Sequence, residues 1–518
     1  MSTIPKFNLI YCSNNHGIIG VKNDLYCKIR NDLLNFKKIT TSDNDKTNII
    51  IMGYNTWLSI GEKPLPNRIN IVIQNKLDNE IEYCDFSEYG YSNLYSYFSL
   101  KDVFDTCNNL EYNQIYIIGG ASLYNETINK YKKNIQYIYH TLIDDNFDGI
   151  IDEYITQSNE SWSWYSKNKK VKINVTHCTK FNMDYSDFKL IESVEYSSSG
   201  EIYNQLYDSN IVMSKMYNTK IIDYRFLKYQ YNPNKEESQY LDLMKEILDS
   251  NNIISGRNGN VISQFGKRME FDLTKSFPLI TTKRVGWKTV LRELLWFMNG
   301  STDNQLLKDK KVNIWNANAS KEFLESRGLD YKEDDLGPVY GFQWRHFGAD
   351  YTDCKTNYTG KGKDQLKYII DEIKSNPSSR RLILNSWNAS DIDKMALPPC
   401  HVMVQFNIDG KFIDCQLYQR SGDMFLGVPF NISSYAFLLC IIGHITGYFP
   451  RKLVHILGDS HIYEEHINAV KEQLSRVPGK FPTLNISTEL KDIDNIKEEF
   501  FNIENYSPQA SIKAPMIP

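Results

Sequence analysis

The stretch MALPPCHVMVQF sets one cysteine, Cys400, behind two prolines and ahead of a histidine. A free cysteine is ordinarily a small buried hydrophobe. Its company changes that reading. Downstream, LYQRSGDMFLGVPFNISSYA holds Arg420, Asp423 and Asn431 in one run, and LGDSHIYEEH adds His461 and Tyr463. Upstream, SSRRLILNSWN carries adjacent Arg380 and Arg381. An arginine beside a thiol draws its pKa down from about 8.5 and makes the attacking thiolate available. The planar guanidinium fork also suits phosphate, which it meets with two parallel bonds. Asparagine donates and accepts with one amide, so it can read a carbonyl beside a ring N–H. These residue types together describe sulfur attacking a phosphorylated substrate.

A second group lies near the N-terminus. In IRNDLLNF, Ile29, Leu33 and Phe36 are spaced to share one helix face, and Asp32 falls on that face. Such a carboxylate is either a stabiliser of the helix N-terminus or an acid with a chemical task. Desolvation would raise its pKa toward neutrality. Arg68 follows a Pro-Leu-Pro turn in KPLPNRINIVI. QIYIIGGASLYNETI reads as strand, Gly119-Gly120, helix. Two glycines let a backbone approach a ligand, and the helix N-terminus favours a phosphate. The same pair also serves as a plain tight turn.

The surrounding elements must position these groups. With 518 residues, two or more domains are expected. Short runs rich in Ile, Val and Tyr (NLIYC, NIIIMG, INIVIQ, QIYIIGG, IQYIYHTLI) read as buried strands. Amphipathic pieces lie between them, which implies an α/β domain with a mostly parallel twisted sheet and flanking helices over 1–193. The weakly patterned 194–235 reads as a junction with helical pieces possible inside it. A larger α+β domain is expected over 236–518. The net charge of -4 argues against a general nucleic-acid or membrane-surface binder, because both need a basic excess. The nine cysteines lack zinc-finger or CxxC spacing, so neither metal nor disulfide framework is expected. No signal peptide is visible, and AFLLCIIG is too short to span a bilayer. A cytoplasmic protein is expected.

The motifs PPCH, QRSGDMFLGVPFNISSYA, GDSHIYEEH, SFPLITTKR, ELLWFMNG, LGPVYGFQWRHF and the late IKAP resemble the thymidylate synthase family across 236–518. The resemblance implies methylation of dUMP to dTMP with 5,10-methylenetetrahydrofolate, through a Cys400 thiolate adduct and without metal. It makes Cys400 the nucleophile, with Glu293, Tyr340, Arg420, Asp423 and Asn431 in the catalytic group. It assigns dUMP to Arg257, Arg380, Arg381, His401, Gln419, Arg420, Ser421, Asp423, Asn431, His461 and Tyr463. Trp315 and Asp423 would meet the folate. The paired arginines reach in from a second subunit in that family, so a homodimer is implied.

NNHGIIG, the Asp32 helix, MGYNTWLSI, PLPNR and IIGG resemble dihydrofolate reductase, in family order over about 7–192. The resemblance implies reduction of dihydrofolate to tetrahydrofolate with NADPH. Asp32 would be the catalytic acid, and Ile10, Asp32, Phe36, Arg68 and Thr141 would form the folate site. Ile19, Gly20, Thr56, Lys76, Ile118, Gly119 and Gly120 would meet NADPH. Leu25, Tyr26 and Cys27 stand where the family usually has Leu-Pro-Trp, and Tyr54 where it usually has a basic residue. The chain thus resembles the bifunctional fusions of the two enzymes in nucleotide and one-carbon metabolism. The alternative is an active synthase joined to a non-catalytic reductase-like module.

Overall fold

The computed structural model describes residues 4–15, 17–21, 24–25, 27–74, 84–85, 93–144, 162–166, 169–173, 178–203, 217–256 and 259–517. Tyr26, Lys76, Arg257 and residues 204–216 of the expected junction lie outside them. The chain divides into two compact units, Met1–Tyr231 and Asn232–Pro518.

In the first unit each Ile-rich run becomes a strand: Phe7–Asn14, Asn48–Gly53, Arg68–Ile73, Ile115–Gly119 and Ile135–Asp144. They belong to a ten-stranded sheet. Its centre runs Ile135–Asp144, Phe7–Asn14, Ile115–Gly119, Asn48–Gly53, Arg68–Ile73, Leu94–Tyr97, with every neighbouring pair parallel. Successive side chains serve opposite faces, as the pleat requires. Ile49 and Ile51 pack with Phe7 and Phe104, whereas Ile50 and Met52 pack with Ile10 and Trp57. A sheet covered on both faces explains why these runs are apolar throughout rather than alternating.

Two expectations change. The described residues of 194–231 are strand rather than linker. They belong to the paired strands Phe188–Tyr203 and Tyr217–Tyr231, which extend the sheet antiparallel. The residues from Ile191 to Ser197 are exposed, so this strand lacks the apolar signature by which buried strands are recognised. Its neighbour alternates, with Ile222 and Tyr224 buried and Ile221 80% exposed. The boundary therefore falls at Tyr231, beyond the expected 193. The apolar face of IRNDLLNF also divides. The helix is Arg30–Thr40, so buried Ile29 is a strand residue, Phe36 packs at the core edge, and Leu33 is 47% exposed.

The second unit is built on a six-stranded sheet in the order Ile253–Gly256, Gly259–Asp272, Phe449–Tyr463, Phe412–Asp423, His401–Asp409, Ile383–Asn385. Only Phe412–Asp423 with Phe449–Tyr463 is parallel. These two strands approach closely: a Cβ on Gly458 would sit 2.7 Å from the Arg420 carbonyl oxygen. The helix Gly427–Thr446 packs on both of them. It is apolar on all sides because it is enclosed by the core, with 78% of its most apolar window buried. The helix Lys235–Ser250 starts at Asn234, whose side chain accepts from the Glu237 amide. Buried Glu237 accepts from the amides and hydroxyls of Thr281 and Thr282, which fixes the SFPLITTKR segment.

Candidate active sites

In the second unit the thiol sits where Pro398 and Pro399 end and the strand His401–Asp409 begins. The Cys400 amide donates to the Tyr340 hydroxyl at 2.7 Å, and its carbonyl accepts from the Arg420 amide at 2.9 Å. The Arg420 side chain donates to the carbonyls of Pro399 and Pro398, at 2.9 and 3.0 Å. Two of its five N–H donors thus anchor it against the cysteine loop. Burial pushes the Cys400 thiol up, while Arg420 and the Tyr340 hydroxyl pull it down; burial prevails. The expected effect of Arg420 is present in direction but does not make thiolate the resting form.

Near the thiol several of the expected residues are linked by bonds and ring contacts. Glu293 projects inward from the helix Trp287–Met298, and Trp315 Nε1 donates to it at 2.8 Å. Burial raises the Glu293 carboxyl to about 7 against the pull of that bond, so it can hold or release a proton near neutrality. Trp315 also meets the Tyr340 ring edge-on, so here it is a partner of Glu293 within the core. His401 is buried and bonded to Asn431; desolvation lowers it to about 4, so it is neutral. Gln419 Nε2 donates to Asn431 Oδ1 and to the Ser421 carbonyl, both at 2.9 Å. Asp423 ends the strand Phe412–Asp423. Burial works against its charge, yet His466 and the Phe425 amide hold it below the usual carboxylate range. On the adjoining strand His461 contacts Asp459 at 2.7 Å and the edge of Tyr463. Arg380 and Arg381 are exposed ahead of Ile383–Asn385, outside this bond network.

Three residues escaped sequence reasoning. His455 is fully buried, with Nε2 2.8 Å from Gln419 Oε1. His466 lies 3.5 Å from Asp423 and bonds the Pro515 carbonyl through Nε2. Lys283 lies over the Phe425 ring, and burial lowers it to about 7. Only Lys283 carried a usable signal, a lysine two threonines beyond the apolar run of SFPLITTKR.

In the first unit Asp32 stands in the first turn of Arg30–Thr40. Thr141, on the strand Ile135–Asp144, donates its hydroxyl to Asp32 Oδ1 at 2.5 Å. Burial raises the Asp32 carboxyl to about 6, against the pull of Thr141. That is the acid reading of Asp32, with a proton exchangeable near neutrality. Arg68 is buried, bonds Thr40 and Pro66, and lies 6.0 Å from the Phe36 ring centre. The Ile10 carbonyl accepts from Tyr124, and Ile118 precedes the two glycines.

The NADPH expectation turns on the glycines. Asn48–Gly53 and Ile115–Gly119 are parallel neighbours, each leading into a helix. A Cβ on Gly119 would sit 2.8 Å from Thr56 Oγ1, and one on Gly120 3.3 Å from it. The helix Ala121–Tyr131 has no side-chain cap at Gly120, leaving its first amides for an anion. The residues fit a phosphate-bearing cofactor. Ile19 and Gly20 lie on the strand Ile18–Val21. Cys27 is buried, and Tyr54 is exposed at the start of Tyr54–Ser59.

A partly covered acid and a glycine cradle in one unit, and a thiol held by an arginine and a tyrosine in the other, define a two-domain enzyme. The dihydrofolate reductase family matches residues 6–189, and the thymidylate synthase family matches 238–518. A putative bifunctional dihydrofolate reductase-thymidylate synthase of Oryza sativa subsp. japonica is 39% identical over 506 residues, covering 96% of this chain and 99% of that protein. Bifunctional dihydrofolate reductase-thymidylate synthase 1 of Arabidopsis thaliana is 38% identical, covering 96% and 93%. The bifunctional enzyme of Paramecium tetraurelia is 36% identical over the full length of both chains. The chain belongs to the bifunctional dihydrofolate reductase–thymidylate synthase family.

Proposed function

We propose that the two units run consecutive reactions. The unit Asn232–Pro518 methylates dUMP to dTMP with 5,10-methylenetetrahydrofolate, and the unit Met1–Tyr231 reduces the resulting dihydrofolate to tetrahydrofolate. The observation that carries this reading is Cys400 bonded to Tyr340 and Arg420, with Asn431 held by Gln419, the residue next to Arg420, and Glu293 set to exchange protons.

Cys400 Sγ bonds to C6 of the pyrimidine, and C5 then attacks the methylene carbon of the folate. One carbon–nitrogen bond of the folate breaks in that attack; the second breaks as the C5 proton departs beside Tyr340, leaving a methylene on the ring, and a hydride then passes from the reduced pterin to that carbon as the Cys400–C6 bond breaks and the ring double bond returns. Asn431 reads the uracil edge, Glu293 manages protons at the carbonyl, and Arg420 and Ser421 face the phosphate. His461 and Tyr463 take the deoxyribose hydroxyl, and Asp423 takes the pterin. In the other unit Asp32 donates the proton that dihydrofolate requires, and Arg68 meets the glutamate carboxylate of the folate. NADPH, when bound, supplies a hydride. Gly119, Gly120 and Thr56 would hold it. The Asp32–Thr141 bond and the glycine cradle speak against a non-catalytic first unit.

We assign a homodimer through the second unit. Exposed Arg380 and Arg381 support it, as do the uncovered apolar side chains Phe265, Ile253 and Phe449. A reducing cytoplasmic setting suits described cysteines that are all free thiols. The direct test supplies dUMP, methylenetetrahydrofolate and NADPH together. Equal amounts of dTMP and tetrahydrofolate are expected, with dihydrofolate accumulating when NADPH is withheld. Accumulation in its presence would leave the first unit without its reaction. Sedimentation tests the dimer.

A further inference from the structure

We infer that His455 is a positioning residue for pyrimidine recognition: it fixes which way the Gln419 amide points, and thereby which atoms Asn431 turns toward the base. This rests on the reading of the second unit as a dUMP enzyme.

His455 lies in the middle of Phe449–Tyr463, opposite Leu417 on one side and Met269 on the other. Its side chain is fully buried. Of its two ring nitrogens, Nε2 faces Gln419 Oε1 at 2.8 Å, and Nδ1 has no partner. An amide oxygen can only accept, so the ring nitrogen facing it must carry a proton. The single ring proton therefore sits on Nε2 and donates to Gln419 Oε1. Burial and the neighbouring His401 both oppose a second proton.

The opposite end of the amide agrees. The Ser421 carbonyl can only accept, and Gln419 Nε2 donates to it at 2.9 Å. His455 and Ser421 thus hold the two ends of Gln419. The remaining Nε2 hydrogen goes to Asn431 Oδ1 at 2.9 Å. Asn431 consequently keeps its oxygen toward Gln419, shares that oxygen with the His401 ring N–H, and leaves its amino group for a ligand. An amino group in that place donates to the 4-carbonyl of uracil and opposes the 4-amino group of cytosine. Without the His455 donor, only the Ser421 carbonyl holds Gln419, and both amides can turn over.

The test uses the full chain with His455→Phe, which keeps a ring and removes the donor, and His455→Gln, which keeps a donor. Binding of dUMP and dCMP is measured by calorimetry, with dTMP turnover alongside. Dihydrofolate reduction and thermal melting report the fold. With the Phe variant, dUMP affinity should fall about tenfold and the preference over dCMP should fall by at least as much. The Gln variant should restore most of both. A folded Phe variant with native discrimination would overturn the inference, as would a Gln variant no better than Phe. Nitrogen-15 imidazole spectra of the wild type give a second readout that needs no variant. A proton on Nε2 of His455 is expected, and one on Nδ1 would overturn the assignment. A wild-type chain that makes no dTMP would instead sink the underlying reading of the unit.

Discussion

Two carboxyl groups raised toward neutrality, one in each unit, reach similar states by different routes. Glu293 sits mid-helix, 8% exposed, with one N–H bond from Trp315, and its carboxyl rises to about 7. Asp32 sits in a helix first turn, only partly covered, with one O–H bond from Thr141, and rises to about 6. In both, burial outweighs a single neutral donor. Asp423 is the contrast within the synthase unit: His466 and a backbone amide keep it charged despite burial. The partners, rather than burial alone, decide whether a carboxyl shuttles protons or remains an anion. Asp32 keeps part of its surface exposed, whereas Glu293 is almost wholly enclosed.

The strongest break of this comparison is Cys400→Ala. It should lower dTMP formation by roughly 10⁴-fold or more while leaving dihydrofolate reduction unchanged. Coupled and separate assays of the two steps read this directly. Asp32→Asn should do the reverse, lowering reduction by about 10²–10³-fold and sparing dTMP synthesis. The same change should stabilise the first unit. The native Asp32 holds its proton to a higher pH than the unfolded chain does, so folding loses free energy as pH rises toward about 6. The asparagine variant escapes this loss. A gain of about 1 kcal/mol is expected at pH 8, vanishing near pH 4, by denaturant titration.

Tyr340→Phe leaves the Cys400 amide without its acceptor. About a tenfold fall in dTMP turnover is expected, with dUMP binding less affected. The finest test is Thr141→Val. Reduction in the wild type should fall as pH rises through about 6, because protonated Asp32 is depleted. Removing the Thr141 donor should move that midpoint upward by about half a unit, read in single-turnover hydride transfer against pH. A downward move would reverse the account of how Asp32 is tuned.

Much of this was legible in the chain itself. The Ile-rich strands were readable because a sheet covered on both faces demands apolar residues at every position. Cys400, Arg420, Asn431 and Asp32 could be singled out as candidates from their local motifs. The paired strands Phe188–Tyr203 and Tyr217–Tyr231 were not, because a strand with exposed residues carries polar ones and resembles a loop. Leu33 misled for the related reason that helical spacing cannot say which apolar residue meets the core.

Residue type and short-range patterning are local properties, and they were enough to set which reactive groups are available and where most strands run. The states of those groups were set by the fold in three dimensions. The resting thiol of Cys400, the raised carboxyls of Glu293 and Asp32, and the orientation of Asn431 depend on Tyr340, Trp315, Thr141 and His455. Those partners arrive from distant segments. Desolvation and hydrogen-bond direction are sums over whatever surrounds an atom in space, so no spacing along the chain could have specified them.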